Sequence, residues 1–306
     1  MREARTAEQL LDEAREWWTT SIVDIHPGEI AMRGYPIEQL IGNVTFPEMI
    51  WLMLMGELPS RPQAALLEAA LVSSVDHGPQ APSIAIARMA ATCGPGLNGS
   101  MASAINVLDD VHGGAGQQCM EIYYEVDGAA GSDGDLATAA SEVVARRRAA
   151  GLKYFPGFGH RFHPIDPRAP RLLQLVREAA GRGETSGRYA TIGAAVEETL
   201  SAGRSKLLPM NIDGATAVIY CELGLPSKLG RGVFILSRSV GILAHAWEQT
   251  QQGGRIKGPQ AKLLNYTYDG PARRDVPDIN QRAPQAKVLN YTYDGPTRRD
   301  VPDIDS

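Results

Sequence analysis

Four side chains stand in settings that suit chemistry. His112 lies in Asp109-Asp-Val-His-Gly-Gly-Ala-Gly-Gln117, a polar turn followed by an apolar-periodic run from Gln117 to Tyr124. A histidine beside a helix N-terminus meets backbone N–H groups and a dipole that disfavour the imidazolium. A neutral imidazole can donate a hydrogen bond to an enolate oxygen, and the glycines let a ligand approach the backbone. The competing reading is a turn histidine with structural glycines. His160 lies in Pro156-Gly-Phe-Gly-His-Arg-Phe-His-Pro-Ile-Asp-Pro-Arg168, where the Pro-Gly punctuation predicts a loop, the usual seat of binding side chains. There it can polarise a carbonyl while Arg161 and Arg168 clamp carboxylates. His160-x-x-His163 is also half of a metal site, although third and fourth ligands at zinc-like spacing are not evident.

Asp213, in Leu208-Pro-Met-Asn-Ile-Asp-Gly-Ala-Thr216, comes just before an apolar helix from Ala215 to Cys221. Composition alone favours a helix N-cap. The functional alternative is a carboxylate general base, its pKa raised toward neutrality by partial burial. Arg238 interrupts the apolar helix of Ser237-Arg-Ser-Val-Gly-Ile-Leu-Ala-His245 and needs an anionic partner there, from the protein or a substrate. Asp76-His77-Gly-Pro ends a long helical run and reads as a helix stop.

The elements that must position these groups are helices. Thr45-Phe-Pro-Glu48 reads as a capping box opening a helix that ends at Gly56, and Ser60-Arg-Pro-Gln63 opens the next. Apolar residues recur at helical spacing through 63–76, 97–111, 136–150, 169–180, 190–202 and 229–247. Breaks fall near 77–82, 94–99, 127–134, 156–167 and 203–209, and no sustained alternation predicts a sheet. The expected class is all-α. The tail repeats itself: 259–279 recurs at 284–304 with changes only at Leu263/Val288 and Ala272/Thr297, a tandem duplication rather than a solenoid.

With 306 residues, 43% hydrophobic and 21% charged, the chain can bury a large core, and disorder is excluded. Its net charge of −5 argues against a nucleic-acid or membrane-surface partner, so a polyanionic ligand needs a local basic cluster. One exists: Arg146, Arg147, Arg148, Lys153, Arg161, Arg168 and Arg171, with Asp166 the only acid between 145 and 171. It is either a seat for phosphates or a solvated helix face. Three scattered cysteines, an N-terminal segment unlike a signal peptide and a longest apolar run of only Met49 to Met55 predict a cytoplasmic protein.

The order His112-Gly-Gly-Ala-Gly-Gln, then Pro156-Gly-Phe-Gly-His-Arg with Asp166-Pro-Arg, then Asn211-Ile-Asp, then Ser237-Arg-Ser-Val-Gly resembles the citrate synthase superfamily. Asp76-His-Gly-Pro with Ala87-Arg88, and Gly232-Val-Phe-Ile-Leu-Ser-Arg-Ser-Val-Gly-Ile-Leu-Ala-His, lean toward its citryl-CoA lyase branch, which includes the C-terminal module of ATP-citrate lyase. The resemblance implies a helical homodimer with a large domain (1–111 and 214–280), an inserted small domain (112–213) and the duplicated tail (281–306) outside it. It implies that His112 stabilises the acetyl-CoA enol, Asp213 moves the methyl proton and His160 polarises the oxaloacetate carbonyl. Arg168 and Arg238 hold carboxylates, with Arg161 and His77 as further substrate contacts. Arg146, Arg147, Arg148, Lys153, Gly157 and Gly159 are expected to meet CoA, and Arg255 or Lys257 is a candidate to act across the dimer. The thioester is a substrate, and no tightly bound cofactor or metal is expected. The reaction is citryl-CoA cleavage or, alternatively, citrate or 2-methylcitrate synthesis. Readings of other classes are a metal-dependent hydrolase using His112, His160 and His163, and a non-catalytic acyl-CoA-binding helical protein.

Overall fold

The computed structural model describes residues 6–132, 134–161, 163–259, 263–264 and 266–276. The chain divides into two compact units, 1–258 and 259–306. The second repeat copy, and with it the segment 281–306, lies outside the described residues.

The first unit is helical, as the periodicity predicts. In order come α1 (Ala7–Trp17), a small sheet, α2 (Ile37–Leu40), α3 (Phe46–Met55), α4 (Arg61–Ser74), α5 (Pro82–Ala91) and α6 (Gly96–Ile105). Then follow α7 (Ala115–Ala130), α8 (Leu136–Ala149), α9 (Arg168–Gly181), α10 (Arg188–Ser201), α11 (Ile212–Glu222) and α12 (Ser227–Gln252). Both expected capping boxes form: Thr45 and Glu48 exchange bonds at the start of α3, and Ser60 and Gln63 do so at the start of α4. Gly56 stops α3 in the left-handed region at φ 95°.

The structure departs from the sequence reading in three places. A three-stranded antiparallel sheet, β1 (Val23–His26), β2 (Glu29–Met32) and β3 (Tyr35–Pro36), precedes α2. Its strands are too short and too exposed to leave a period-two signature. Its second turn uses Arg33 and Gly34, both at positive φ, as a tight hairpin does. α7 runs on through 127–130, so the break after it starts only at Gly131. α6 ends at Ile105, which leaves 106–114 as the loop that carries His112.

α11 is the centre of the packing. Every residue from Gly214 to Cys221 is buried, and α4, α7, α9 and α10 surround it. Leu67, Tyr123, Val143, Val176, Ile192, Val196, Val218 and Ile219 belong to this main core. A second cluster, with Ile84, Ala87, Ala104, Leu108, Ile242 and Ala246, joins α5 and α6 to α12. α12 reaches both, so side chains on it are fixed relative to α4, α5 and α11 alike. Among the described residues no helix is long and apolar enough to cross a membrane.

Candidate active site

Residues far apart in sequence line one cavity of about 200 Å³: His77, His112, His160, Arg168, Asp213 and Arg238, with Ser74, Val111, Gly113, Ala115, Ile212 and Phe234. An outer cavity of about 740 Å³ shares His77, Val111, His112 and His160 with it and adds Gln80, Arg161 and His163.

His112 is held by a helix N-terminus, but by that of α5 and not that of the following α7. Its Nε2 accepts the backbone N–H of Ser83 at 3.2 Å, and the Ser83 hydroxyl lies 3.1 Å away. Ser83 is the second residue of α5 and is fully buried. A backbone N–H only donates, so Nε2 must carry the lone pair and Nδ1 the proton. Burial first, and then the Arg238 charge, push the His112 pKa below its ordinary value. The loop beneath is clamped by Arg231 of α12, which donates to both Asp109 and Asp110.

His160 carries the opposite tautomer. Its Nδ1 accepts the His163 backbone N–H at 3.1 Å, which leaves the proton of the neutral ring on Nε2. His77 packs edge-on to it, with ring centroids 5.6 Å apart. The loop is pinned to the approach to α11: Gly159 N–H donates to Pro209 O at 2.7 Å, Asn211 N–H to Gly157 O at 2.9 Å, and the Asn211 side chain to Gly159 O at 2.7 Å. A Cβ on Gly157 would meet Cys119 Sγ at 2.5 Å and Gly214 Cα at 2.9 Å. Packing therefore accounts for this glycine without a ligand.

Asp166, buried to 1% exposure, ties the arginine to the aspartate. It grips Arg168 through Nε at 2.9 Å and Nη2 at 2.8 Å and accepts the Ile212 N–H at 3.1 Å, one residue before Asp213. Arg238 is 5% exposed. Its Nε donates to Ser74 O at 3.1 Å, Arg168 Nη1 leans on Ser73 O at 3.4 Å, and Ser237 donates to Leu71 O. The unpaired carbonyls at the C-terminus of α4 thus receive both arginines, where the helix dipole favours cations.

Asp213 is not the N-cap. Asn211 is, accepting from the backbone N–H groups of Asp213 and Gly214. Asp213 sits in the first turn with its side chain on the cavity. Burial raises its pKa; Arg168 and Arg238 oppose that shift and Asp166 adds to it. One cavity therefore holds a carboxyl group pushed up and three histidines pushed down. Burial comes first for His77, followed by Arg168, and burial comes first for His160 too. Such divergent environments are the pattern that separates acid and base roles.

This has a consequence for stability. Histidines with a depressed folded pKa contribute stability that is present above the unfolded value, about 6.5, and lost as pH falls below it. The melting temperature should fall from pH 7 to pH 5, and His77→Gln should flatten the slope. Asp213, shifted up, acts in the opposite sense as pH rises through its folded pKa. A melting temperature independent of pH over that range would mean that these rings bind protons equally well in the folded and unfolded chain.

Of the cationic segment, Arg168 lines the inner cavity and Arg161 the outer one, but Arg146, Arg147, Arg148 and Lys153 line neither. Arg146 and Arg147 both pair with Glu125 of α7, at 2.5 and 2.7 Å, and Arg148 lies over the Phe155 ring and lines a separate cavity between α8 and α10. The neutralising acid is some twenty residues away in sequence, so a count of charges between 145 and 171 misses it. Lys153 is exposed. Arg255 is exposed, and Lys257 donates to Gln249 Oε1 at 3.3 Å. Ser83 and Arg231 escaped the sequence reading, because their partners lie 29 and more than 120 residues away. Among the described residues no group of three or more His, Cys, Asp or Glu side chains is placed to hold a metal ion.

The chain matches the family described as citrate synthase, C-terminal domain, over residues 14–68 and 60–260. It is 31% identical over 232 residues to citrate synthase from Haloferax volcanii, covering 75% of this chain and 56% of that protein. It spans about half the length of the curated relatives it matches first. Citryl-CoA lyase from Hydrogenobacter thermophilus superimposes with a TM-score of 0.74 at 32% identity, over 85% of this chain and 97% of that one. ATP citrate lyase from Methanothrix soehngenii, solved with citrate and coenzyme A, shares the fold with a TM-score of 0.69 at 21% identity, over 88% of this chain and 45% of that one. By fold, matched length and the order of its motifs, the chain belongs to the citrate synthase family.

Proposed function

We propose that the chain makes and breaks the carbon–carbon bond between acetyl-CoA and oxaloacetate, acting as a citryl-CoA lyase. The observation that carries the reading is His112: with Nε2 occupied by Ser83 N–H, its Nδ1–H is the donor left for a ligand in the cavity that holds Asp213. In cleavage, the electrons of the breaking bond pass onto the thioester oxygen, which His112 Nδ1–H stabilises. Protonated Asp213 delivers its proton to the methylene carbon, giving acetyl-CoA. The citryl hydroxyl gives its proton to solvent, which reprotonates Asp213 for the next cycle; the oxaloacetate carbonyl that forms is held by His160 Nε2–H, and Arg168 and Arg238 hold its carboxylates. Condensation runs the same steps backwards, with Asp213 starting as the carboxylate. No tightly bound cofactor enters the scheme.

Similarity along nearly the whole of a citryl-CoA lyase supports cleavage over synthesis. The alternative, a citrate or 2-methylcitrate synthase, adds thioester hydrolysis and is supported by the Haloferax relative. Supplying citryl-CoA, or acetyl-CoA with oxaloacetate, and following free CoA and oxaloacetate separates them. A lyase releases oxaloacetate from citryl-CoA with no free CoA, and a synthase releases free CoA from the second pair. No turnover of either would leave the non-catalytic acyl-CoA-binding reading.

Residues 112–213 are proposed as a small domain closing over ligands, with the thioester arm entering through the outer cavity past Arg161. The working unit is proposed to be a homodimer. Leu236, Val240, Leu243 and Trp247 form an exposed apolar stripe at spacings of four and three along α12, a helix face that needs a partner. Val240→Asp should weaken self-association by about 100-fold or more, since a two-fold interface would bury the unpaired charge twice. Sedimentation equilibrium showing an undisturbed dimer would place the interface elsewhere.

A further inference from the structure

We propose that His245 is a positioning residue, holding Asp76 so that the neighbouring His77 and Arg238 are set for the dicarboxylic substrate. This rests on the reading above only for the identity of that substrate.

His245 lies on α12, two turns beyond Arg238, with 19% of its side chain exposed. Its Nδ1 faces Arg88 Nη1 at 3.1 Å. A guanidinium has no acceptor, so Nδ1 carries the lone pair and Nε2 the proton. Nε2 lies 3.3 Å from Asp76 Oδ1, a buried oxygen that makes no regular hydrogen bond among the described residues. The other oxygen, Oδ2, accepts the Gly78 N–H at 3.0 Å. The carboxylate is thus fixed at both ends, and His77 sits on the turn between. Burial pushes the Asp76 pKa up, and the Gly78 N–H bond and the neighbouring His245 ring more than offset it, so the group is held as the anion.

Three segments that build the cavity meet at this imidazole. The turn at 76–78 supplies His77. α12 supplies Arg238, for which Asp76 is the foremost stabilising anion, ahead of Asp213. α5 supplies Ser83, the partner of His112, and also Arg88, which is fixed from outside by Glu248 at 2.5 Å and Gln252 at 2.7 Å. α12 comes so close to the turn that a Cβ on Gly241 would lie 2.2 Å from Val75 O. A carboxylate that shifts when its imidazole is lost therefore moves both His77 and the charge balance of buried Arg238.

The test compares His245→Ala, His245→Gln and Asp76→Asn in the full chain. His245→Ala should weaken oxaloacetate binding by about tenfold or more, with acetyl-CoA binding changed by less than about twofold, because only one ligand uses the displaced groups. Glutamine can accept from Arg88 and donate to Asp76, so His245→Gln should recover most of that loss. Asp76→Asn should reproduce it, and the double variant His245→Ala/Asp76→Asn should be no worse than Asp76→Asn alone. Imidazole resonances of selectively labelled histidines provide a substrate-free arm: His77 and His160 should shift in His245→Ala, and exposed His26 should not. Equal weakening of both ligands, additive single variants or an unmoved His77 resonance would overturn the proposal. If the parent protein binds no oxaloacetate, the functional reading fails and the resonances alone decide the positioning role.

Discussion

Asp213→Asn should fold normally, melt no lower than the parent at pH 8, and lose most of its turnover in both directions. The two halves of that result come from the same burial. Asn211 caps α11, so Asp213 has no capping bond to lose. Its pKa is raised in the folded state, chiefly by burial. A carboxyl group raised above its unfolded value contributes stability below that value and loses it as pH rises through the folded pKa. At pH 8 the ionised group is therefore a burden on the fold, and neutral asparagine removes it. The contrasting control is Asn211→Ala, which removes the cap itself and should cost about 0.5–2 kcal/mol. Asparagine at 213 cannot take or deliver the methyl proton, and positioned proton transfers are worth ~10²–10⁴ in rate. Turnover should fall within that range, and exchange of methyl protons from a non-reactive acetyl-CoA analogue should fall with it. In the parent, the condensation rate should rise with pH as Asp213 ionises. A variant that melts like the parent and still turns over at its rate would remove Asp213 from the mechanism.

The sequence exposes the parts of this site whose signals are local. The boxes at Thr45 and Ser60 are legible because cap and partner stand three residues apart. The loop at 156–167 is legible because proline and glycine punctuate it. What stays hidden is whatever depends on partners brought together by the packing of the helices. The ring of His112 is set by Ser83 and not by the helix that follows it, so it meets the N-terminus of a different helix from the one its sequence context suggests. Arg146 and Arg147 look like free cations until α7 presents Glu125 to them. Asp166 looks like a lone acid in a basic stretch, yet it joins Arg168 to the backbone beside Asp213. Each of these is a polar contact between elements that the fold brings together, and hydrophobic periodicity carries no information about which polar side chains face one another.

The Ser83–His112 bond leads to the second large effect. His112→Ala should lower turnover by ~10²–10³, the typical loss when one donor to a developing oxyanion is removed. The size follows from preorganisation. With Nε2 held by a backbone N–H at 3.2 Å, the ring cannot rotate without breaking that bond, so Nδ1–H is fixed before any ligand arrives. Burial and Arg238 depress its pKa, so its carbon resonances should titrate at lower pH than those of an ordinary histidine. His112→Asn separates the two functions of the ring. Its amide can approach the position of Nδ1 and keep a donor, but it is too short to accept from Ser83. It should therefore recover part of the loss and leave the N-terminus of α5 less well satisfied, with a lower melting temperature than the parent. If alanine and asparagine were equally inactive, the donor at Nδ1 would not be what counts. If instead the parent's ring titrated near pH 6.5, the helix N-terminus would not be holding it neutral, and stabilisation of the enolate would have to come from another group in the cavity.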